Sequence, residues 1–201
     1  INLVVRSIIK NCPSKFIEPF FTELLPQVLS KIDSLLMEKW ELVYRKGLQL
    51  EGTESDEQLS EEMMEEHMLR QLTAVVDRML IDLVGQSSNN LSSRQIETRR
   101  VICKDKATLG ALLQLLCHII MFKDTRCSFN AILVVRHLLE EISGKDDEVD
   151  KFLCDSLIQA LLHVLMDNFY VDVHPEAAYA LTILYIGLRS KSAYPAVDLQ
   201  K

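Results

Sequence analysis

Residues 104–142 read KDKATLGALLQLLCHIIMFKDTRCSFNAILVVRHLLEEI, and this stretch decides the fold. Its apolar residues recur every three to four positions, which predicts two helices, about 104–121 and 124–142. Asp124 or Thr125 is suited to cap the second helix. Because only two or three residues separate the helices, we expect them to pack side by side as an antiparallel pair.

A second helix pair is predicted over about 146–168 and 175–190. It begins about 42 residues after the first pair, which matches the ~40–47-residue period of HEAT-type repeats. The segment from Leu157 to Met166 is apolar around most of its circumference, which favours a helix with neighbours on several sides. The sequence therefore predicts an all-α protein, an α-solenoid of HEAT-type antiparallel helix pairs. A closed helical bundle is the alternative.

Upstream, a long helix is predicted over about 58–85, with Gly85 at its end. Residues 15–46 also favour helix, with Pro26 marking a break or kink. One face of the 58–85 helix is predicted to be apolar along its length. It consists of Met64, Met68, Leu72, Val75, Met79 and Leu83. The whole chain, 1–201, is then predicted to be one HEAT-repeat segment of a larger protein. Its parts are helix pairs at about 27–85, 104–142 and 146–190, an acidic loop at 47–57 and a mobile loop at 86–103.

The composition narrows the class of protein. Of the 201 residues 48% are apolar, and only 6 are Gly and 5 Pro, which argues against β-sandwiches, barrels and glycine-rich nucleotide loops. The net charge of −7 argues against a basic nucleic-acid-binding module. Five scattered cysteines without a C-x-x-C spacing predict a reduced, intracellular protein with buried thiols. Gln114 and His118 interrupt the longest apolar stretch, so no transmembrane helix is expected. Because the first residue is Ile1 and not Met, the sequence is expected to be an excerpt of a longer chain.

Charge is unevenly distributed along the chain. Residues 51–66 hold eight acidic residues and no basic one. The first interpretation is a solvated segment with acids favourably placed at a helix N-terminus. The second is a contact for a basic partner, formed by Glu51, Glu54, Asp56 and Glu57.

No catalytic motif occurs in the sequence. G-x-S-x-G, P-loop and H-E-x-x-H patterns are absent, and no histidine follows a glutamate by three residues as in di-metal bundles. We therefore expect an interaction protein without enzymatic activity, metal or cofactor; an enzyme built on a helical bundle is the distant alternative. His118 and His163 lie in apolar helix segments and are expected to be hydrogen-bonded core residues, while Tyr179 and Tyr185 are candidates to face a partner.

Three short stretches occur in an informative order: KWELV at 39–43, SEEMMEE at 60–66 followed by Arg70, and FKDT at 122–125. With that order and those gaps, residues 15–190 resemble the C-terminal region of exportin-5. The exportin-5 family consists of nuclear export receptors of the importin-β (karyopherin) superfamily, and the form resembled here is fungal.

The resemblance implies a superhelix that binds Ran-GTP and cargo together. It also implies that the protein shuttles between nucleus and cytoplasm by binding nuclear pore proteins, and that it does not insert into membranes. It implies cargo of transfer RNA, hairpin RNA or phosphorylated protein, all of which carry phosphates. Since second helices line the family's concave side, it assigns cargo contacts to Arg126, Arg136, Arg189 and Lys191. The main Ran-GTP contact would belong to repeats outside this segment. A HEAT or armadillo scaffold without a role in transport is the alternative.

Overall fold

The computed structural model describes residues 18–49, 56–85, 92–122, 124–142 and 151–190, together with residues 7 and 11. Within these ranges the chain forms seven α-helices and no strand, which confirms the all-α prediction. The helices are α1 Leu25–Gln49, α2 Asp56–Val84, α3 Ser93–Lys104, α4 Lys106–Met121, α5 Thr125–Ile142, α6 Lys151–Met166 and α7 His174–Ser190. A π-helical turn, Phe20–Leu24, leads into α1, and a 3₁₀ segment, Asn168–Val173, joins α6 to α7.

The helices pack as a stack of three pairs. The pairs are α1 with α2, α4 with α5, and α6 with α7. Their first helices form one row, α1–α4–α6, and their second helices form another, α2–α5–α7. Each pair therefore contacts the next one through both of its helices, as the predicted HEAT-type solenoid requires.

The middle pair explains why its sequence is so apolar. Helix α4 packs against α1, α5 and α6 at once, so most of its circumference must be apolar. Leu112, Leu115 and Leu116 are fully buried on it, and Val135 and Leu138 are fully buried on α5. The buried apolar side chains of all three pairs belong to one continuous core.

Short polar residues fix the ends of the helices. Asp105 caps α4 by accepting the Thr108 N–H at 2.8 Å, and Asp124 accepts the Cys127 N–H at 3.0 Å at the start of α5. Gly85 has φ 86° and follows α2, where its N–H bonds to the Ile81 carbonyl at 2.7 Å. This left-handed conformation ends the helix as predicted, because glycine has no Cβ to oppose it.

Pro26, where the sequence predicts a break or kink, does not break the helical course, which changes from π to α directly before it. It lies in the first turn of α1, directly after the π-helical turn Phe20–Leu24. There the Leu25 N–H bonds to the Phe20 carbonyl, five residues back. The wider π spacing accommodates a residue that lacks an N–H, and the helical course continues through it.

The prediction of a mobile loop over 86–103 is wrong for residues 93–103, because they form helix α3. Ser92 accepts the Gln95 N–H at 3.3 Å, and the Gln95 side chain accepts the Ser92 N–H at 3.1 Å, forming a capping box. Thr98 and Ile102 are buried against the neighbouring helices. Helix α3 is polar overall and lacks a clear apolar stripe, so periodicity alone does not reveal it. Residues 86–91 lie outside the described residues.

The predicted apolar stripe of α2 is divided in two. Met79 and Leu83 are buried, whereas Met64, Met68 and Val75 are exposed.

No helix among the described residues is both long and apolar enough to cross a bilayer.

Candidate cargo-binding surface

Arg126 lies in the first turn of α5, in the second helix row, with its side chain exposed. No ion pair links it to another described residue. Burial raises the pKa of Asp77 on α2, and the positive charge of Arg126 opposes that rise. An exposed cation in this position is available for an anionic partner.

Arg136, nearly three turns further along α5, is already engaged. Its Nη1 lies 2.6 Å from Glu176 Oε2 on α7, and its Nε lies 3.5 Å from Glu140 Oε1. The guanidinium also sits 5.2 Å from the centroid of the Tyr179 ring. Two carboxylates offset its charge, so Arg136 joins α5 to α7 and is less available than Arg126.

The other predicted site residues are only partly located. Arg189 lies in the last turn of α7, but its side chain is outside the described part, and Lys191 lies outside it altogether. Glu51 and Glu54 are also outside the described ranges. Asp56 and Glu57 open α2, and their side chains are not among those described. Of the predicted cargo contacts, the structure therefore locates the side chains of Arg126 and Arg136.

Both tyrosines predicted to face a partner are exposed. Tyr179 and Tyr185 lie on α7, and more than half of each side chain is accessible to solvent. Tyr179 extends the surface formed by Arg136 and Glu176.

Polar contacts that the sequence does not predict join the successive pairs. Between α1 and α4, Asp33 Oδ1 lies 2.6 Å from His118 Nδ1, and the Gln114 amide donates to Asp33 Oδ2 at 3.2 Å. Between α2 and α5, the buried Asn130 amide donates to Asp77 Oδ2 at 2.8 Å. Polar residues at helix positions facing apolar neighbours are the only sequence signal for these contacts.

His118 thus has the hydrogen bond expected of it, although about a quarter of its side chain is exposed. His163 differs from expectation, because it is exposed on α6, where its ring and that of Tyr170 meet edge to face with 6.0 Å between centroids. The Tyr170 hydroxyl in turn donates to the Phe122 carbonyl at 3.0 Å and joins the third pair to the second.

Burial shifts the pKa values of two charged groups between the helices. Burial raises the pKa of Asp77 from 3.8 to about 6, and the Asn130 hydrogen bond opposes that rise. Burial also lowers the pKa of the Arg99 guanidinium, against the attraction of Glu140 and Glu141. Arg99 uses its Nε to bond the carbonyl of Val84, at the end of α2.

The thiols in the described part of the chain are structural. Cys103, Cys117 and Cys127 are free and buried. Burial raises the pKa of Cys117 and of Cys127 to about 12, so both thiols stay protonated and unreactive at neutral pH. Among the described residues, no group of three or more His, Cys, Asp or Glu side chains is placed to hold a metal ion.

The sequence of this stack matches a known family model. The model of the Exportin-5 family covers residues 1–199. The chain belongs to the exportin-5 family. It is 37% identical to Protein MSN5 of Saccharomyces cerevisiae over 195 residues, which cover 93% of this chain and 16% of that protein. It is also 28% identical to Uncharacterized protein C328.01c of Schizosaccharomyces pombe over 197 residues, 88% of this chain and 16% of that relative.

These matches confirm the resemblance found in the sequence. The chain spans about one sixth of the length of the curated relatives it matches. No solved structure matches the chain.

Proposed function

We propose that the protein to which this chain belongs is a nuclear export receptor that binds its cargo cooperatively with Ran-GTP. The observation that carries the proposal is the exportin-5 family match over residues 1–199. The stack of helix pairs supports it, because such an array offers a long surface that binds partners by area and charge.

The proposed mechanism is linkage between two binding sites. Cargo and Ran-GTP each favour the same curvature of the array, so each raises the affinity for the other, by about 1–3 kcal/mol of coupling free energy. Hydrogen bonds such as Asp77–Asn130 cross from one pair to the next, where changes of curvature are accommodated. GTP hydrolysis takes place on Ran and releases the cargo in the cytoplasm. The receptor then returns through contacts with nuclear pore proteins.

The cargo contacts in this segment are Arg126, Arg136, Arg189 and Lys191, which recognise phosphates on RNA or on phosphorylated protein. Arg126 is the strongest of them, since it is exposed and has no ion pair among the described residues. Arg136 has to share its charge with Glu176 and Glu140.

The cargo contacts are tested by charge reversal at Arg126 in the full-length polypeptide. Arg126→Glu should weaken binding of a phosphorylated cargo at low salt by about tenfold, the typical cost of losing one charged hydrogen bond. Lys106→Glu is the matched control, because Lys106 is exposed on α4 in the other helix row. Equal losses from the two variants would remove Arg126 from the cargo site.

The acidic residues Glu51, Glu54, Asp56 and Glu57 are the proposed contact for a basic surface of Ran or of the cargo. Replacing all four by Gln should lower affinity for that partner and reduce the dependence of binding on salt. An unchanged affinity for both Ran-GTP and cargo would remove this contact.

Export itself is tested by pull-down with the intact protein. Cargo should bind about 5–150-fold more tightly when Ran locked in its GTP form is present, and Ran-GDP should have no such effect. Failure of the intact protein to bind Ran-GTP would favour a HEAT or armadillo scaffold outside transport.

A further inference from the structure

The turn between α4 and α5 and the segment between α6 and α7 lie along one edge of the stack, which we call the turn-side edge. Trp40 of α1 reaches the same edge, where it stacks on Phe122 with 6.1 Å between ring centroids. The Tyr170 hydroxyl, on the segment between α6 and α7, donates to the Phe122 carbonyl. The turn of the middle pair is therefore in contact with both the first pair and the third.

The first pair projects beyond the middle pair at this edge. Asp77 of α2 bonds to Asn130 of α5, and α5 begins five residues before Asn130. The matching level on α2 is about Leu72, so the stretch from Leu72 back to Asp56 extends about 24 Å further. Met63 precedes Asp77 by nearly four whole turns, so it lies on the α5 side of this projection, and it is 68% exposed. The projecting helices form a wall beside the turn of the middle pair.

Large apolar side chains are exposed along the rest of the turn-side edge. Met121 ends α4 and is exposed, and Met166 ends α6 and is 84% exposed. Phe169 and Val171 are exposed before and after the buried Tyr170. These side chains lie at helix ends and on a connection, away from the helix faces by which successive pairs stack. Grouped exposed apolar side chains mark an interaction site, and methionine adapts to partners of varied shape.

The net charge of the chain is concentrated at the same edge. Residues 41–72, 122–126 and 166–173 form the edge and its projecting wall, although 50–55 and 123 lie outside the described ranges. Together these stretches hold 12 acidic and 5 basic residues, which accounts for the whole net charge of −7. The rest of the chain is neutral in sum. A positively charged partner is therefore attracted to this edge more than to the remaining surface.

We propose that the turn-side edge binds a basic amphipathic helix of a partner protein, with the lysines or arginines of that helix facing the acidic flanks of the edge. The apolar side chains of the partner helix cover Met63, Met121, Met166, Phe169 and Val171. Neighbouring helices in a row lie about 8–10 Å apart, so the edge from α1 to α6 spans about 20 Å. A helix of about 13 residues has this length, and a helix laid on an apolar groove is a common mode of recognition.

The partner is defined by apolar and basic side chains and not by phosphate. The proposal is therefore independent of the cargo contacts at Arg126 and Arg136, and it holds with or without Ran-GTP. It adds an apolar component to the acidic contact proposed above.

The probe is a helical peptide of about 18 leucine and lysine residues with its leucines on one face, added to the full-length polypeptide at low salt. A terminal benzophenone allows its contacts to be cross-linked and mapped by mass spectrometry. We expect cross-links at residues 121–126 and 166–173. Binding should be at least about tenfold tighter than that of a peptide with the same composition in scrambled order, and it should weaken at high salt because the attraction is screened.

A matched pair of substitutions locates the site. Val171 and Ile186 are equally exposed, at 59% and 60%, and Ile186 lies towards the opposite end of the third pair. Val171→Ala should weaken peptide binding about fivefold and Phe169→Ala about tenfold, whereas Ile186→Ala should leave it unchanged. Met166→Ala, at the end of α6, repeats the test without altering the segment around Tyr170.

Equal losses from Val171→Ala and Ile186→Ala, or cross-links confined to other parts of the chain, would overturn the proposal. Equal binding of a peptide with glutamate in place of every lysine, or of an uncharged apolar peptide, would overturn the basic partner. Self-association that blocks the peptide would assign the edge to a second copy and contradict the proposal as well. Failure of the peptide to bind also overturns it, while the tests of cargo and Ran-GTP binding keep their own outcomes.

Discussion

At the scale of single residues, Asp77 makes the fold sensitive to pH. Its pKa is raised from 3.8 to about 6 by burial, so between these two pH values the folded state holds a proton that the unfolded state has released. The stabilisation by this proton is complete below pH ~4 and is lost as the pH rises through about 6. Asp77→Asn keeps a partner for Asn130 without the charge. At pH 7.5 it should raise the free energy of unfolding by about 1 kcal/mol.

The difference between Asp77→Asn and the parent chain should shrink as the pH falls from 7.5 to 5, as measured by urea unfolding. Glu97→Gln, at an exposed position, controls for the loss of one surface charge. A difference that stays constant over this pH range would show that Asp77 does not carry the pH dependence.

Arg136 and Glu176 form the ion pair that joins α5 to α7, and each is about a quarter exposed. A double-mutant cycle with Arg136→Ala and Glu176→Ala should give a coupling of about 1 kcal/mol, because partial burial reduces screening. The coupling should decrease in 1 M salt. A coupling near zero would leave Arg136 free for cargo and contradict its structural role.

At the scale of elements, the capping box of α3 decides where that helix begins. Ser92→Ala removes the acceptor of the Gln95 N–H and should cost about 1 kcal/mol. Hydrogen exchange should accelerate in the first turn of α3. Ser93→Ala, one residue later and exposed, should change exchange little. Similar effects of the two variants would contradict the capping role of Ser92.

How much the sequence predicts depends on whether an element is held by local or distant contacts. Helices α4 and α5 were predicted to within about two residues, because periodicity, the Asp caps and the tight turn are all local signals. Helix α3 was missed because a distant contact holds it: Arg99 bonds to Val84, 15 positions earlier. Periodicity carries no information about such a contact.

The features of the candidate site also divide into those that local sequence predicts and those that depend on distant contacts. The exposure of Arg126 follows from its charge, whereas its selection as a cargo contact came from the family resemblance. The pairing of Arg136 with Glu176 spans 40 positions and depends on the register between α5 and α7. The sequence therefore identified both arginines as candidates but not the carboxylates that offset the charge of one of them.

At the scale of the whole molecule, the order of the pairs determines how stability is shared. Helices α4 and α5 contact both other pairs, whereas α6 and α7 lie at one end of the described stack. In such an array stability is close to a sum of contributions from each pair and from its interfaces with its neighbours. A closed bundle would instead distribute any loss over all its helices.

Two leucine truncations separate these architectures. Leu116 on α4 and Leu161 on α6 are both fully buried, and truncation of either to Ala should cost about 2–5 kcal/mol. Leu161→Ala should accelerate hydrogen exchange mainly in α6 and α7, leaving α1 and α2 close to the parent chain. Leu116→Ala should accelerate exchange in all three pairs, because the middle pair supports both others. Uniform acceleration across the helices by both variants would indicate a closed bundle and rule out the stack.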